Sequence, residues 1–215
     1  MAMDIPITAS SETPLAYSVM DKEKGMSQIE RRLTLASSSP RRKELLGQLG
    51  YPFDTVSPDI IEEKNASESV SQYVVRLATE KAQAGLLMTE QADIVIGSDT
   101  IVVVDGDVLE KPENFERSRT MLSRLSGRSH QVFTAVTVLD KTRSESVLVE
   151  TNVWFKSLSE QEITSYWETG EPCDKAGSYG IQGIGGKFIS RIEGSYHAVV
   201  GLPLMETDQL LRKFF

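Results

Sequence analysis

The sequence predicts an α/β protein, and three observations carry that prediction. Two short runs, Ile94-Val95-Ile96 and Ile101-Val102-Val103-Val104, are unbroken Ile and Val, the mark of strands buried on both faces. Segments with apolar residues at three- and four-residue steps, residues 65–88 most clearly, are interspersed with such runs. Near the start of the regular region, Leu33-Thr34-Leu35-Ala36 leads through Ser37-Ser38-Ser39-Pro40-Arg41-Arg42 into a helical pattern, a strand–turn–helix junction.

Taken in order, residues 1–30 are polar and serine-rich with neither period sustained, which predicts a disordered extension ahead of a folded domain over 31–215. After the first strand, Ser39 suits an N-cap and Pro40 the first helical position, and Gly50 closes that helix. A strand is expected at 51–56, an acidic loop at 57–63 and a helix at 65–88. Lys81 falls beside the apolar stripe of that helix, where a lysine ordinarily snorkels to solvent. Gly97-Ser98-Asp99-Thr100 is read as separating two buried strands, with Asp105-Gly106 as a hairpin turn after the second. An aspartate in that setting is costly unless a cation, a metal or several donors meet it. The plainer alternative is an aspartate that stabilises its own turn.

Lys111 precedes a helix expected over 113–125 and closed by Gly127. Strands follow at 131–139 and 146–155, and Ser159 with Glu162 forms a capping box for the next helix. Residues 174–186 are glycine-rich but fail the phosphate-loop pattern. Ile181 stands where its first glycine belongs, and Phe188 where a magnesium-binding hydroxyl belongs. The glycines read instead as positions of tight turning or close approach to a planar ligand. A strand at 187–192, a turn at 194–197, a strand at 198–204 and a helix at 206–215 complete the chain.

Composition narrows the function classes. A net charge of −8 argues against broad binding to nucleic acid or anionic membranes, so positive charge used on a ligand must be local, as at Arg41-Arg42. The single cysteine, Cys173, excludes an intramolecular disulfide framework and a thiolate zinc cluster, and His130 and His197 lie far apart. No run approaches the roughly 18 apolar residues of a membrane span, and no apolar signal core stands at the N-terminus. A reducing, cytoplasmic setting is the expectation. The oligomeric state is open, a homodimer included.

Collecting the polar residues in apolar or glycine-rich settings gives Ser39, Arg41, Arg42, Glu62, Lys81, Asp99 and Lys111. At the start of the first helix, backbone N–H groups, the helix dipole and two guanidiniums form an anion site, although a helix start with solvated arginines would read the same way. Four cations with two carboxylates suit hydrolysis of a nucleoside triphosphate, in which cations neutralise phosphate oxygens and carboxylates hold a metal or activate water. The same set would serve a nucleotide-binding regulator with little turnover.

Ala36-Ser37-Ser38-Ser39-Pro40-Arg41-Arg42, Gly97-Ser98-Asp99-Thr100, Glu110-Lys111-Pro112 and Gly201-Leu202-Pro203-Leu204 occur in the order and at about the spacing of the Maf family of nucleoside triphosphate pyrophosphatases, which the chain resembles from Leu33 onward. The resemblance implies an elongated mixed β-sheet flanked by helices, with two lobes around a cleft, similar to the inosine triphosphatase architecture. It also implies hydrolysis of a nucleoside triphosphate to the monophosphate and pyrophosphate with a divalent metal, Mg2+ or Mn2+. Asp99 matches the family's proton acceptor and a metal ligand, and Glu62 a carboxylate that assists metal binding. Ser39, Arg42, Lys81 and Lys111 match the polar cluster around the triphosphate. Arg41, Thr100 and Gln182 match the branch acting on dTTP and UTP. The 7-methyl-GTP branch tends to place Trp and Gln where Arg41 and Thr100 stand here, and an indole would favour stacking on a cationic purine. The family's name history also keeps a nucleotide-responsive regulator of cell division or septum formation as the alternative reading.

Overall fold

Leu33–Ala36 (β1) is buried throughout and lies between two parallel neighbours, Phe53–Val56 (β2) and Ile94–Val104 (β3). The computed structural model describes residues 31–90 and 92–215; the expected N-terminal extension lies outside the described residues. Parallel pairing requires crossovers, and these are Pro40–Gln48 (α1) between β1 and β2, and Val70–Leu87 (α2) between β2 and β3. From β3 onward the sheet is antiparallel. The Asp105-Gly106 turn leads into Asp107–Leu109 (β4), and Ser129–Leu139 (β5), Ser144–Phe155 (β6) and Ile189–Glu193 (β7) extend the sheet in the order β2-β1-β3-β5-β6-β7. Phe115–Leu125 (α3), Glu160–Glu168 (α4), Tyr196–Val200 (α5) and Leu204–Leu211 (α6) complete the helices, with short 3-10 turns at 171–174, 176–178 and 184–188. The mixed sheet flanked by helices is the one expected. Among the described residues no helix is long and apolar enough to cross a membrane.

β3 organises the molecule, and here the structure corrects the sequence reading. Gly97-Ser98-Asp99-Thr100 does not separate two strands; it lies inside one strand of 11 residues. Each of the four pairs with a β5 residue, from Gly97 with Thr137 to Thr100 with Thr134, so the ladder satisfies the backbone while the side chains find partners elsewhere. On one face of β3, Ile94 and Ile96 belong to a core with Leu35, Leu46, Leu202 and Phe214. Val102 and Val104 on the same face belong to a second core with Leu122, Ile163, Tyr166 and Phe188. Ser98 and Thr100 stand between the two. The opposite face lies under α2, where Ile101 and Val103 pack with Tyr73, Val74, Leu77 and Ala78. Gly97 permits this approach, because a Cβ there would collide with the Ala78 carbonyl and sit 2.6 Å from Ala82 N.

The edge of β3 away from β5 is covered only in part. β1 pairs with Ile94 to Gly97 and β4 with Val102 to Val104. Among the described residues, 98–101 have no partner strand on that side, an opening of about 13 Å at ~3.3 Å per residue.

Several boundaries differ from expectation, three of them for a local reason that the structure shows. α2 begins at Val70 rather than near 65, because Ser69 and Gln72 form a reciprocal capping box there. α3 begins at Phe115, with Asn114 accepting from Arg117 N. The expected strand at 198–204 is instead the end of α5, a turn and the start of α6. Ser195 caps α5 through Ala198 N, and the N–H groups of Gly201 (φ 130°) and Leu202 both donate to His197 O to end it. A short apolar run does not distinguish buried strand from buried helix, and Ala198, Val200 and Leu202 are buried in either case.

Candidate active site

The opening in β3 leads into a cavity of about 800 Å3, walled by the Ser37 to Arg42 turn, the loop carrying Glu62, the Glu110-Lys111 segment and the glycine-rich stretch. Its floor is Asp99 and Thr100. Two adjacent strand residues point to opposite faces, yet both reach the cavity because the edge between β1 and β4 is open.

Lys81 does not snorkel. Its side chain, 12% exposed, crosses from α2 to β3, and its Nζ lies 2.6 Å from both Asp99 Oδ1 and Glu62 Oε1. Asp99, 8% exposed, thereby has the cation that its burial demands. Glu62 is more open. Partial burial works to raise its pKa, but the hydrogen bond and charge of Lys81, with Lys111 and Arg42 beyond, outweigh this and hold it below the ordinary carboxylate range. The Tyr73 hydroxyl, from α2, donates to the Glu62 carbonyl at 3.0 Å and lies 3.2 Å from Glu110 Oε1, tying together two loops of the wall.

Ser39 accepts from Arg42 N as the α1 N-cap; Pro40 has no N–H and Lys43 N donates to Ser39 O, so the positive end of α1 meets the cavity wall with the N–H of Arg41. Arg42 folds back into the protein. Its Nε donates to Gly201 O at 3.0 Å and its Nη2 to Thr100 Oγ1 at 3.2 Å, and Ser98 Oγ donates to the same carbonyl. Burial lowers the Arg42 pKa, with Asp99 acting against that shift. A guanidinium nonetheless stays charged in a protein. Thr100 also lies 3.0 Å from Thr134 Oγ1, so its hydroxyl is fixed from two sides. Arg41 points the other way and meets Asp174 across the cavity mouth at 3.5 Å, while Lys175 Nζ donates to Asp174 at 2.6 Å. Lys111 and Gln182 line the wall and are exposed.

All nine residues expected from the sequence therefore border one cavity. Lys81, Asp99 and Glu62 touch directly, as do Arg42 and Thr100. Tyr73, Asp174, Lys175 and Glu171 were not anticipated. Tyr73 reads as an ordinary core position of an amphipathic helix, and the other three lie in or beside the stretch read as turns.

Among the described residues no group of three or more side chains could hold a metal ion by itself. Asp99 and Glu62 nevertheless converge on one cation, the Lys81 ammonium, and both are hard oxygen donors. One or two carboxylates completed by substrate phosphates is the usual way Mg2+ is held, and this pair fits that role.

A local pocket of cations and paired carboxylates, open at the edge of a mixed α/β sheet, is the site of a protein that handles nucleotides or other polyphosphates. The chain belongs to the Maf family: the model described as Maf-like protein matches residues 32–214, which span every residue of the cavity wall. The dTTP/UTP pyrophosphatase of Vibrio parahaemolyticus is 64% identical over 182 residues, covering 85% of this chain and 96% of that protein. The proteins of the same name from Aliivibrio fischeri and Salmonella typhimurium are 60% and 57% identical, covering 86% and 85% of this chain and 100% and 92% of theirs.

Proposed function

We propose that this chain hydrolyses dTTP and UTP to the monophosphate and pyrophosphate, in the cytoplasm. The observation that carries the reading is identity of 57–64% over nearly the whole length of relatives named for that activity. The geometry is compatible with the following mechanism.

A divalent cation, Mg2+ or Mn2+, held by Asp99, Glu62 and phosphate oxygens, would supply charge neutralisation and a more acidic water. Asp99 accepts the proton of the water whose oxygen attacks the α-phosphorus, and the bond from that phosphorus to the pyrophosphate oxygen breaks. Lys81 balances the two carboxylates while no nucleotide is present and meets phosphate oxygens when one arrives. Lys111, Ser39 and the first turn of α1 gather the charge of the departing pyrophosphate. Arg42 adds its charge from behind and orients Thr100. Gln182 offers an amide to the imide edge shared by uracil and thymine, with Thr100 and Arg41 closing the base site.

The test is pyrophosphate release measured in parallel with dTTP, UTP, CTP and 7-methyl-GTP. Preference for dTTP and UTP is expected. Preference for 7-methyl-GTP would overturn the substrate assignment, and saturable binding without product would overturn turnover itself.

A further inference from the structure

We propose that Glu171 is a positioning residue for base selection: by pinning the glycine-rich segment at two points, it fixes where Gln182 stands in the cavity. This rests on the dTTP/UTP reading above and extends it to a residue that no motif singles out.

Glu171 follows α4 in the first 3-10 turn, and its carboxylate turns back under the segment 180–185. Oε1 accepts from Tyr166 Oη at 2.7 Å and from Gly185 N at 3.0 Å, and Oε2 accepts from Ile184 N at 2.8 Å. Tyr166 is itself buried in the second core, and its hydroxyl accepts from Gly180 N at 3.0 Å. One carboxylate and one phenol thus hold both ends of a six-residue span whose exposed tip is Gln182-Gly183. The seat is close-fitting, since a Cβ on Gly183 would overlap Glu171 Oε2. Upstream, the segment is fixed again where Ser178 meets Ser118 at 2.6 Å and Tyr179 meets His130 at 2.8 Å. Ile181 packs against the first core. With both flanks held, the freedom left to the Gln182 backbone is set by the Glu171 anchor.

A role in folding alone would lower stability and turnover for every substrate alike. Positioning of Gln182 changes the discrimination between bases instead. The experiment measures kcat/KM for dTTP, UTP and CTP on the native chain, Glu171→Gln, Gln182→Ala and the double variant. Glu171→Gln is expected to cut the preference for dTTP and UTP over CTP by about tenfold, the scale of one misplaced hydrogen bond, through KM while kcat stays within about threefold. In the Gln182→Ala background the same change should add no further loss, because the two act through one contact. An unchanged preference in Glu171→Gln, or losses that multiply in the double variant, would overturn the proposal. Tyr166→Phe removes hydrogen bonds without removing the ring, and it reads the same preference should Glu171→Gln fail to fold. A native chain with no preference for dTTP and UTP would instead sink the underlying substrate reading, and the proposal with it.

Discussion

At the scale of single residues, the contact between Lys81, Asp99 and Glu62 makes the sharpest demands. Asp99→Asn keeps the shape of the site but removes the proton acceptor of the proposed mechanism. Its kcat should fall by about 10²–10⁴, the usual worth of general-base assistance, while nucleotide binding stays measurable by titration calorimetry. Near-normal kcat would remove Asp99 from the proton transfer. Lys81→Met leaves two carboxylates facing each other without their cation. That variant should melt well below the native chain in EDTA and recover much of the loss in millimolar Mg2+; equal melting in both would show that the pair needs no cation. These residues were legible in the sequence because an aspartate and a lysine sat among apolar neighbours, where polarity is expensive. Glu171 and Tyr73 were not legible, because a tyrosine on an amphipathic stripe and a glutamate after a helix are ordinary until distant chain segments bring them partners.

His130 gives a prediction of another kind. It is buried against Tyr179 and Phe155, its Nδ1 has no hydrogen-bond partner among the described residues, and burial pulls its pKa down to about 4. The unfolded chain takes up a proton near pH 6.5 that the native state refuses until about pH 4, so stability falls as pH drops through this window. The loss from this one group is about 3 kcal/mol once pH is below 4. Urea unfolding at pH 7 and pH 4.5 should show a smaller pH-dependent loss for His130→Leu than for the native chain; equal losses would show that other groups govern acid sensitivity.

At the scale of elements, the packing of α2 on β3 sets the alignment of Lys81 with Asp99. Gly97 lies two strand positions before Asp99, on the same face of β3, and directly against the α2 backbone at Ala78 and Ala82. Gly97→Ala should destabilise the fold by about 1–3 kcal/mol through overpacking. At 2–4 °C per kcal/mol for a chain of this size, the melting temperature should fall by roughly 2–12 °C. A melting temperature at or above the native value would contradict the close approach. Most elements were readable from period and caps, and boundaries moved where a cap outranked a pattern, as at Ser69 and Asn114. The run at 198–204 was misread for a physical reason. Seven mostly apolar residues satisfy burial in either conformation, and what decides between them is the Ser195 cap together with the two N–H groups that converge on His197 O.

At the scale of the whole molecule, two hydrophobic cores share the long strands β3 and β5, and the polar middle of β3 lies between them. The cavity is walled by residues of both, Val200 of the first and Val102 and Tyr179 of the second, so a nucleotide bound as proposed should stabilise the chain as a unit. A non-hydrolysable dTTP analogue at about a hundred times its Kd, with Mg2+, should add roughly 2.7 kcal/mol, visible as a single shifted melting transition. Two separated transitions would show that the cores melt independently. What the sequence could not convey is the open edge itself, because it depends on where β1 stops and β4 starts relative to β3.

That open edge has a consequence for the life of the protein apart from chemistry. Unpaired strand edges are templates on which other chains add and aggregate. Here, among the described residues, the unpaired stretch is 98–101, bounded by β1 on one side and β4 on the other, with Lys81, Arg42, Asp99 and Glu62 lining the cavity it opens into. An invading strand would need to fit a slot shorter than an average strand of five to six residues and desolvate those charges to enter. A slot of that length and charge is a poor template for a peptide backbone, whereas the proposed substrate's phosphate chain carries the charge to match it.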